Sequence, residues 1–266
     1  MSTLNFLAFD TSTDMMSVAV GRGDQSWHHH GLGGANASAQ LLPVIQNLLD
    51  QAGLQLSDLT ALVMGQGPGS FTGLRTACAV AQGLAMGAQL KVIAVDTLMV
   101  VAEDARLTWA STSFTQTRPD HNLRVGVVMD ARMSEVYAGT YEWHAQEGLW
   151  HTVSALEVGS PAVIAPRMNA GAHANFVLAG NGFEVYKDRW PLVASSISDP
   201  SSQPVPCVPA VPHALALLRL APALWQQGVA VLPEHVQPLY IRDKVAQTTA
   251  EREALKGAMQ QGGSSA

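Results

Sequence analysis

The sequence predicts an α/β fold built as two related lobes, and three observations carry that prediction. A phrase of strand, acid, turn and strand occurs twice, as "LNFLAFDTST" with "MMSVAVGRG" around Asp10 and as "LRVGVVMDARMSEVYAGTYEW" around Asp130, about 120 residues later. Between the copies, apolar residues recur at helical spacing. A glycine-rich turn, "GQGPGSFTGLR" at 65 to 75, leads from the apolar run "LTALVM" into one of those helices. With 266 residues, 47% hydrophobic and 14% charged, the chain is long enough for one large domain or two lobes.

The elements follow in order. After the first hairpin, "SAQLLPVIQNLLDQAG" places Leu41, Ile45, Leu48, Leu49 and Ala52 on one stripe, with Ser38 as the expected N-cap and Gly53 as the C-terminal stop. Pro43 must lie near the first turns or bend this helix. The second helix starts at Ser70, whose hydroxyl suits an N-cap, and Phe71, Leu74, Cys78, Ala81 and Ala85 recur along it at spacings of three and four. Ala77, Ala79, Gly83, Gly87 and Ala88 leave much of that cylinder thin, which permits close packing on a sheet or on another subunit. The segment 108 to 122 reads as an exposed loop between lobes, "ALEVGSPAVIA" and "NFVLAGNGFEVY" as strand-like pieces, and "SSISDPSSQPVPCVPAVP" as a Pro/Ser-rich connection. "HALALLRLAPALWQQG" (213 to 228) is an amphipathic helix interrupted at Pro222, and "VQPLYIRDKVA" an extended end. The expected division is a first lobe over 1–102, a second over 103–246 with the 213–228 helix as a candidate to pack back on the first, and a flexible tail over 247–266.

Composition excludes several functions. A net charge of −6 repels a nucleic-acid backbone, so RNA contact requires a local patch or a partner. Two cysteines, Cys78 and Cys207, cannot build a disulfide framework, and a reducing cytoplasm fits. No run approaches the roughly 18 apolar residues that span a bilayer, and the start lacks a secretory pattern, so the chain reads as soluble and unprocessed.

Gly65, Gly67 and Gly69 remove Cβ atoms from a strand-to-helix turn, which lets amides face an anion at the positive end of a helix dipole. A P-loop also needs a lysine after its last glycine, and the first lysine here is Lys91. The dinucleotide fingerprint fails as well, because Pro68 breaks the glycine order. A structural turn or a weaker anion site remains, formed by Gly65, Gly67, Pro68, Gly69, Ser70, Gly73 and Arg75, and we expect the turn to be primary. His28, His29 and His30 point to alternate faces of a strand and cannot converge on one ion. Asp10, Asp14, Asp130 and Glu135 stand at turns, where a pair across a cleft could hold Mg²⁺ or act as a base.

"FLAFDTST", "LVMGQGPGSFTGLRTACAVAQGLAMG", "VVMDARMSEVYAG" and "PLYIRDKVA", in this order, resemble the bacterial TsaB family, also called YeaZ, over residues 4 to 246. The resemblance implies an actin-like ASKHA fold, that of sugar kinases and Hsp70 ATPases. It implies a non-catalytic subunit that pairs with TsaD and, with the ATPase TsaE, supports formation of N6-threonylcarbamoyladenosine beside the anticodon of tRNAs reading codons that begin with A. TsaD carries an H-x-x-x-H metal pair, and the corresponding positions here are Thr97 and Val101. Asp10 is followed by Thr11 and Ser12 rather than by the D-x-G turn of ASKHA ATPases, and the second glycine pair survives only as "AGNG" at 179 to 182. The expectations are no metal, no tightly held cofactor on this chain alone although the complex uses ATP, and no catalytic residue. Expected contacts are a TsaD heterodimer, TsaE, a weak homodimer in isolation, tRNA only through the complex, and no membrane. Interface candidates are Leu41, Ile45, Leu48, Leu74, Cys78 and Ala81. A small-molecule kinase or ATPase and a metallopeptidase are the rival readings.

Overall fold

The structure is a computed structural model that describes residues 3–111, 122–170, 175–190 and 205–242. Of the expected 108 to 122 loop, residues 108–111 are instead the end of a helix, and 112–121 lie outside the described residues, as do part of the Pro/Ser-rich connection and the tail. The first lobe contains β1 (Asn5–Asp10), β2 (Met15–Arg22), β3 (Gln25–Leu32), α1 (Ala37–Ala52), β4 (Ala61–Gly67), α2 (Phe71–Ala88), β5 (Lys91–Asp96) and α3 (Thr97–Ser111). The second contains β6 (Leu123–Asp130), β7 (Val136–His144), β8 (Leu149–Gly159), α4 (Pro161–Ala170), β9 (Phe176–Ala179), α5 (Gly182–Val185), β10 (Cys207–Val208) and α6 (Ala214–Gln226).

The two sheets have one topology. The first runs β3-β2-β1-β4-β5, with an antiparallel meander over β1 to β3 and parallel β4 and β5. Read from its other edge, the second runs β8-β7-β6-β9-β10 with the same directions, so each strand has a counterpart. Helices also recur between the same strands. The duplication that two short phrases predicted therefore extends through the whole connectivity.

The closing helix of each half serves the other half. Leu98, Val101, Ala102 and Ala105 of α3 join the core of the second sheet with Val125, Val127 and Tyr141. Leu217, Leu220 and Ala221 of α6 join a core with Phe6, Ala8, Val63 and Ile93 of the first sheet. The expected boundary at 102/103 falls inside α3, which runs through it without interruption. Glu103 on α3 ties the exchanged helices together: its buried carboxylate accepts from Arg106, from Arg219 on α6 and from Trp150 Nε1 on β8, at 2.8 to 3.0 Å.

Several local expectations are corrected. Ser38 does not cap α1; a 3₁₀ turn over Gly34–Asn36 brings the chain in already helical, and Ser38 lies exposed in the first turn. Gly53 does stop the helix, at φ 63°. "PAVIA" is the start of α4 rather than strand, because Pro161 occupies a first-turn position where its missing N–H costs nothing. α6 continues through Pro222 rather than breaking there.

The largest correction concerns the proposed interface. Leu41, Ile45, Leu48, Leu74, Cys78 and Ala81 are all buried, at 5% exposure or less. All but Leu74 belong to one cluster with Leu7, Phe9, Val18 and Leu62 of the first sheet. An apolar helical stripe must be covered, and here the helix's own sheet covers it. The outward faces carry Leu42, Gln46 and Asn47 on α1 and Thr72, Arg75, Ala79, Gly83 and Met86 on α2.

His213 caps α6 by accepting from the Leu215 amide at 3.2 Å and stacks on His30 at 4.7 Å, with His28 also near. Burial, then the neighbouring His30 and His28 and Arg219, push its pKa from 6.5 to about 4. A base with a depressed folded-state pKa contributes stability that is present above the unfolded value and lost as pH falls below it. Stability should thus decline from about pH 6.5 toward 4. His213→Asn, which keeps a capping side chain but does not titrate, should flatten part of that decline in denaturation measured across the window. An unchanged pH profile would remove His213 as its source.

Candidate functional site

The cleft between the sheets lies where the two acid-ended strands face each other. β1 delivers Asp10 and the turn Thr11 to Asp14; β6 delivers Asp130 and the turn Ala131 to Glu135. The cavity between them is about 350 Å³ and is lined by Ser12, Thr13, Asp14, Pro68, Gly69, Thr97, Asp130, Arg132, Tyr137 and Asn181, among others.

The glycine-rich loop forms one wall, and its glycines permit close approach to the first hairpin turn. A Cβ on Gly65 would lie 1.7 Å from Asp10 Oδ2, on Gly69 2.5 Å from the Ser12 carbonyl oxygen, and on Gly73 1.8 Å from that of Thr11. Gly67 adopts φ 122° and presses on the carbonyl of Leu239. The amides are used within the fold. Ser70 N donates to the Ser12 carbonyl at 2.7 Å, Gly67 N to Thr97 Oγ1 at 3.0 Å, and Gly73 N to the capping Ser70 Oγ at 3.5 Å. Thr11 Oγ1 donates to the Gly73 carbonyl at 2.8 Å.

Arg75, at the loop's far end, reaches the C-terminal segment. Its Nε donates to Tyr240 Oη at 3.1 Å, and Phe71 stacks on the Tyr240 ring at 4.5 Å. Gln66 and Leu239 extend this docking through a backbone bond of 2.8 Å. The loop residues therefore come together, with Arg75 turned away from the cleft toward a residue 165 positions distant. Sequence reasoning missed Tyr240 as its partner.

On the Asp10 side one carboxyl oxygen is tied to its own turn. Ser12 donates to Asp10 Oδ1 through its amide at 2.8 Å and its hydroxyl at 2.6 Å, while Oδ2 has no partner among the described residues. Burial raises the carboxyl pKa, and the Ser12 bonds only partly oppose this.

On the opposite wall, Asp130 accepts from Tyr186 at 2.7 Å and from the Arg132 amide at 2.8 Å, and its own amide donates to Asn181. Arg132 crosses the cleft to Asp14 at 2.7 Å. The glycines of "AGNG" have a packing role, since a Cβ on Gly180 would lie 2.2 Å from the Val128 carbonyl oxygen. Glu135, the other turn acid, pairs with Arg242.

The positions that the resemblance matches to a metal-binding imidazole pair are filled by the chain's own packing. Thr97 is buried with its hydroxyl engaged by Gly67, and Val101 is core of the second sheet. Threonine and valine at these positions do not supply the imidazoles of a metal pair, and of the loop amides those of Gly67, Ser70 and Gly73 have acceptors within the chain.

Two sheets of one topology facing each other across a cleft between acid-ended hairpins define an actin-like protein of the ASKHA type. The family model described as TsaD, tRNA N6-adenosine threonylcarbamoyltransferase, matches residues 32–250. The chain is 33% identical over 243 residues to tRNA threonylcarbamoyladenosine biosynthesis protein TsaB of Escherichia coli, covering 91% of this chain and 96% of that protein. It is 31% identical to the Haemophilus influenzae protein of the same name, covering 92% and 96%. The solved structure of YeaZ from Pseudomonas aeruginosa superposes with a TM-score of 0.74 at 33% identity, covering 89% of this chain and 99% of that one. The chain belongs to the TsaB family.

Proposed function

We propose that this chain is a supporting subunit in the synthesis of N6-threonylcarbamoyladenosine in tRNA, beside the anticodon of tRNAs reading codons that begin with A. It works by pairing with TsaD and has no complete active site of its own. The single observation that carries this reading is the state of the cleft: Thr97 and Val101 are packed inside, and the Gly67, Ser70 and Gly73 amides have internal acceptors. Catalysis then belongs to the partner, and TsaE completes the assembly. The chain alone holds no nucleotide tightly, and with a net charge of −6 it meets tRNA through the complex. No helix among the described residues is long and apolar enough to cross a membrane.

The surface we assign to TsaD is the outward face of α2. Ala79, Gly83 and Met86 are exposed there, and neither Gly83 nor Gly87 has an atom within 4 Å of an added Cβ, so a partner helix could approach the backbone closely. In the absence of TsaD the same face supports a weak homodimer. Ala79→Glu should leave the fold intact, because the side chain enters solvent, while lowering affinity for TsaD at least tenfold through an unpaired charge in the contact. The measurement is TsaD binding by size exclusion with light scattering, together with a reconstituted tRNA modification assay. Full binding and full modification by folded Ala79→Glu and Gly83→Glu variants would rule this face out.

A further inference from the structure

We propose that the end of the β7–β8 hairpin is a zinc site whose ligands are the imidazoles of His144 and His151 and the carboxylate of Glu147. The register brings them together. Glu142 on β7 pairs with His151 on β8, and His144 with Leu149, so period-two alternation puts Glu142, His144 and His151 on one face of the ladder. The turn returns Glu147 to that face, held by bonds from the Glu147 and Gly148 amides to the His144 carbonyl at 3.1 and 2.9 Å. Gly148 takes φ 66°, which its lack of a Cβ makes accessible.

Among the described residues this is the one group of three such side chains whose ligand atoms converge, all within 4.8 Å of one another. His151 Nε2 lies 2.9 Å and His144 Nδ1 3.6 Å from the Glu147 carboxylate. The two rings face each other with centroids 4.2 Å apart. Two imidazolium ions at that separation would repel, whereas two neutral imidazoles and a carboxylate form a donor set of the kind Zn²⁺ takes. Side-chain exposures of 31% to 52% leave the ion a path in. Three protein ligands leave one tetrahedral position for water. Glu142, 3.5 Å from His144 Nε2 and paired with Arg124, stands outside the ligand set and is placed to orient that ring.

None of these residues lines the interlobe cleft, and the inference does not rest on the proposed function. It revises the expectation of no metal, which was drawn from Thr97 and Val101 in another part of the fold.

The test is calorimetric titration of the full chain with ZnCl₂, beside the visible spectrum on adding Co²⁺. The wild type and a His28→Ala/His30→Ala variant should share one equivalent that His144→Ala/His151→Ala loses, and the Co²⁺ spectrum of that equivalent should have the intensity of a four-coordinate site. Glu147→Gln leaves the hairpin bonds intact and should weaken this equivalent at least tenfold. Equal zinc stoichiometry and affinity in His144→Ala/His151→Ala, or in Glu147→Gln should the double variant fail to fold, would overturn the proposal. So would an equivalent lost only with His28 and His30.

Discussion

Gly73→Ala should destabilise this protein by about 3 kcal/mol or more, read as a lower midpoint in chemical denaturation without any ligand. The added Cβ would lie 1.8 Å from the Thr11 carbonyl oxygen and 2.9 Å from its carbonyl carbon. Both are backbone atoms, so no side-chain rotation relieves the collision. The contact is also the seam between the glycine-rich loop and the first hairpin turn, because Thr11 Oγ1 donates to the Gly73 carbonyl there. Gly83→Ala in the same helix is the control. Its Cβ meets no atom within 4 Å, and alanine's helical preference should add about 0.5 to 1 kcal/mol. Opposite signs for one substitution in one helix would locate the effect in the seam. A Gly73→Ala variant as stable as the parent would mean that the turn does not rest on α2.

Glu103→Ala should cost roughly 3 kcal/mol, again measured by equilibrium unfolding. The carboxylate is 2% exposed while the Arg106 and Arg219 side chains are 24% and 31% exposed, so the guanidinium groups can turn to water once it is gone. That keeps the loss at the low end for a broken buried pair. Truncation also leaves Trp150 Nε1 without its acceptor and opens space between α3, α6 and β8. Glu103→Gln keeps one acceptor oxygen and the volume, and should recover part of the difference. Equal stability of the parent and both variants would show that the exchanged helices are held by apolar packing alone.

The sequence disclosed elements far better than what they face. Hydrophobic period marks α1 as a helix with one buried face, and Leu41, Ile45 and Leu48 are that face. Period is silent on whether a sheet or a partner covers it, so reading the stripe as a subunit contact was an error that only the packed core could correct. The short apolar run "PAVIA" carries no period long enough to separate strand from helix, and Pro161 decided it. The glycine-rich loop was legible as a strand-to-helix turn because glycine and a capping serine act locally. Its destination was not, since Thr11, Leu239 and Tyr240 meet it from distant parts of the chain. The hairpin at His144 offered only a spacing of three and four, which in a strand has no facial meaning until register and turn are known.

By itself the sequence determined the α/β class, the repeated strand-acid-turn-strand phrase and the positions of α1, α2 and α6. Those properties follow from backbone preference and side-chain chemistry within a few residues. The tertiary structure alone decided that α3 and α6 change places between sheets, that Asp10 is buried with one oxygen unpartnered, and that Arg75 serves the C-terminal segment rather than the cleft. Each depends on contacts between residues tens to more than a hundred positions apart. Such contacts are set by which pairing of faces excludes the most water while satisfying every buried polar group, a property of the whole packed chain rather than of any segment.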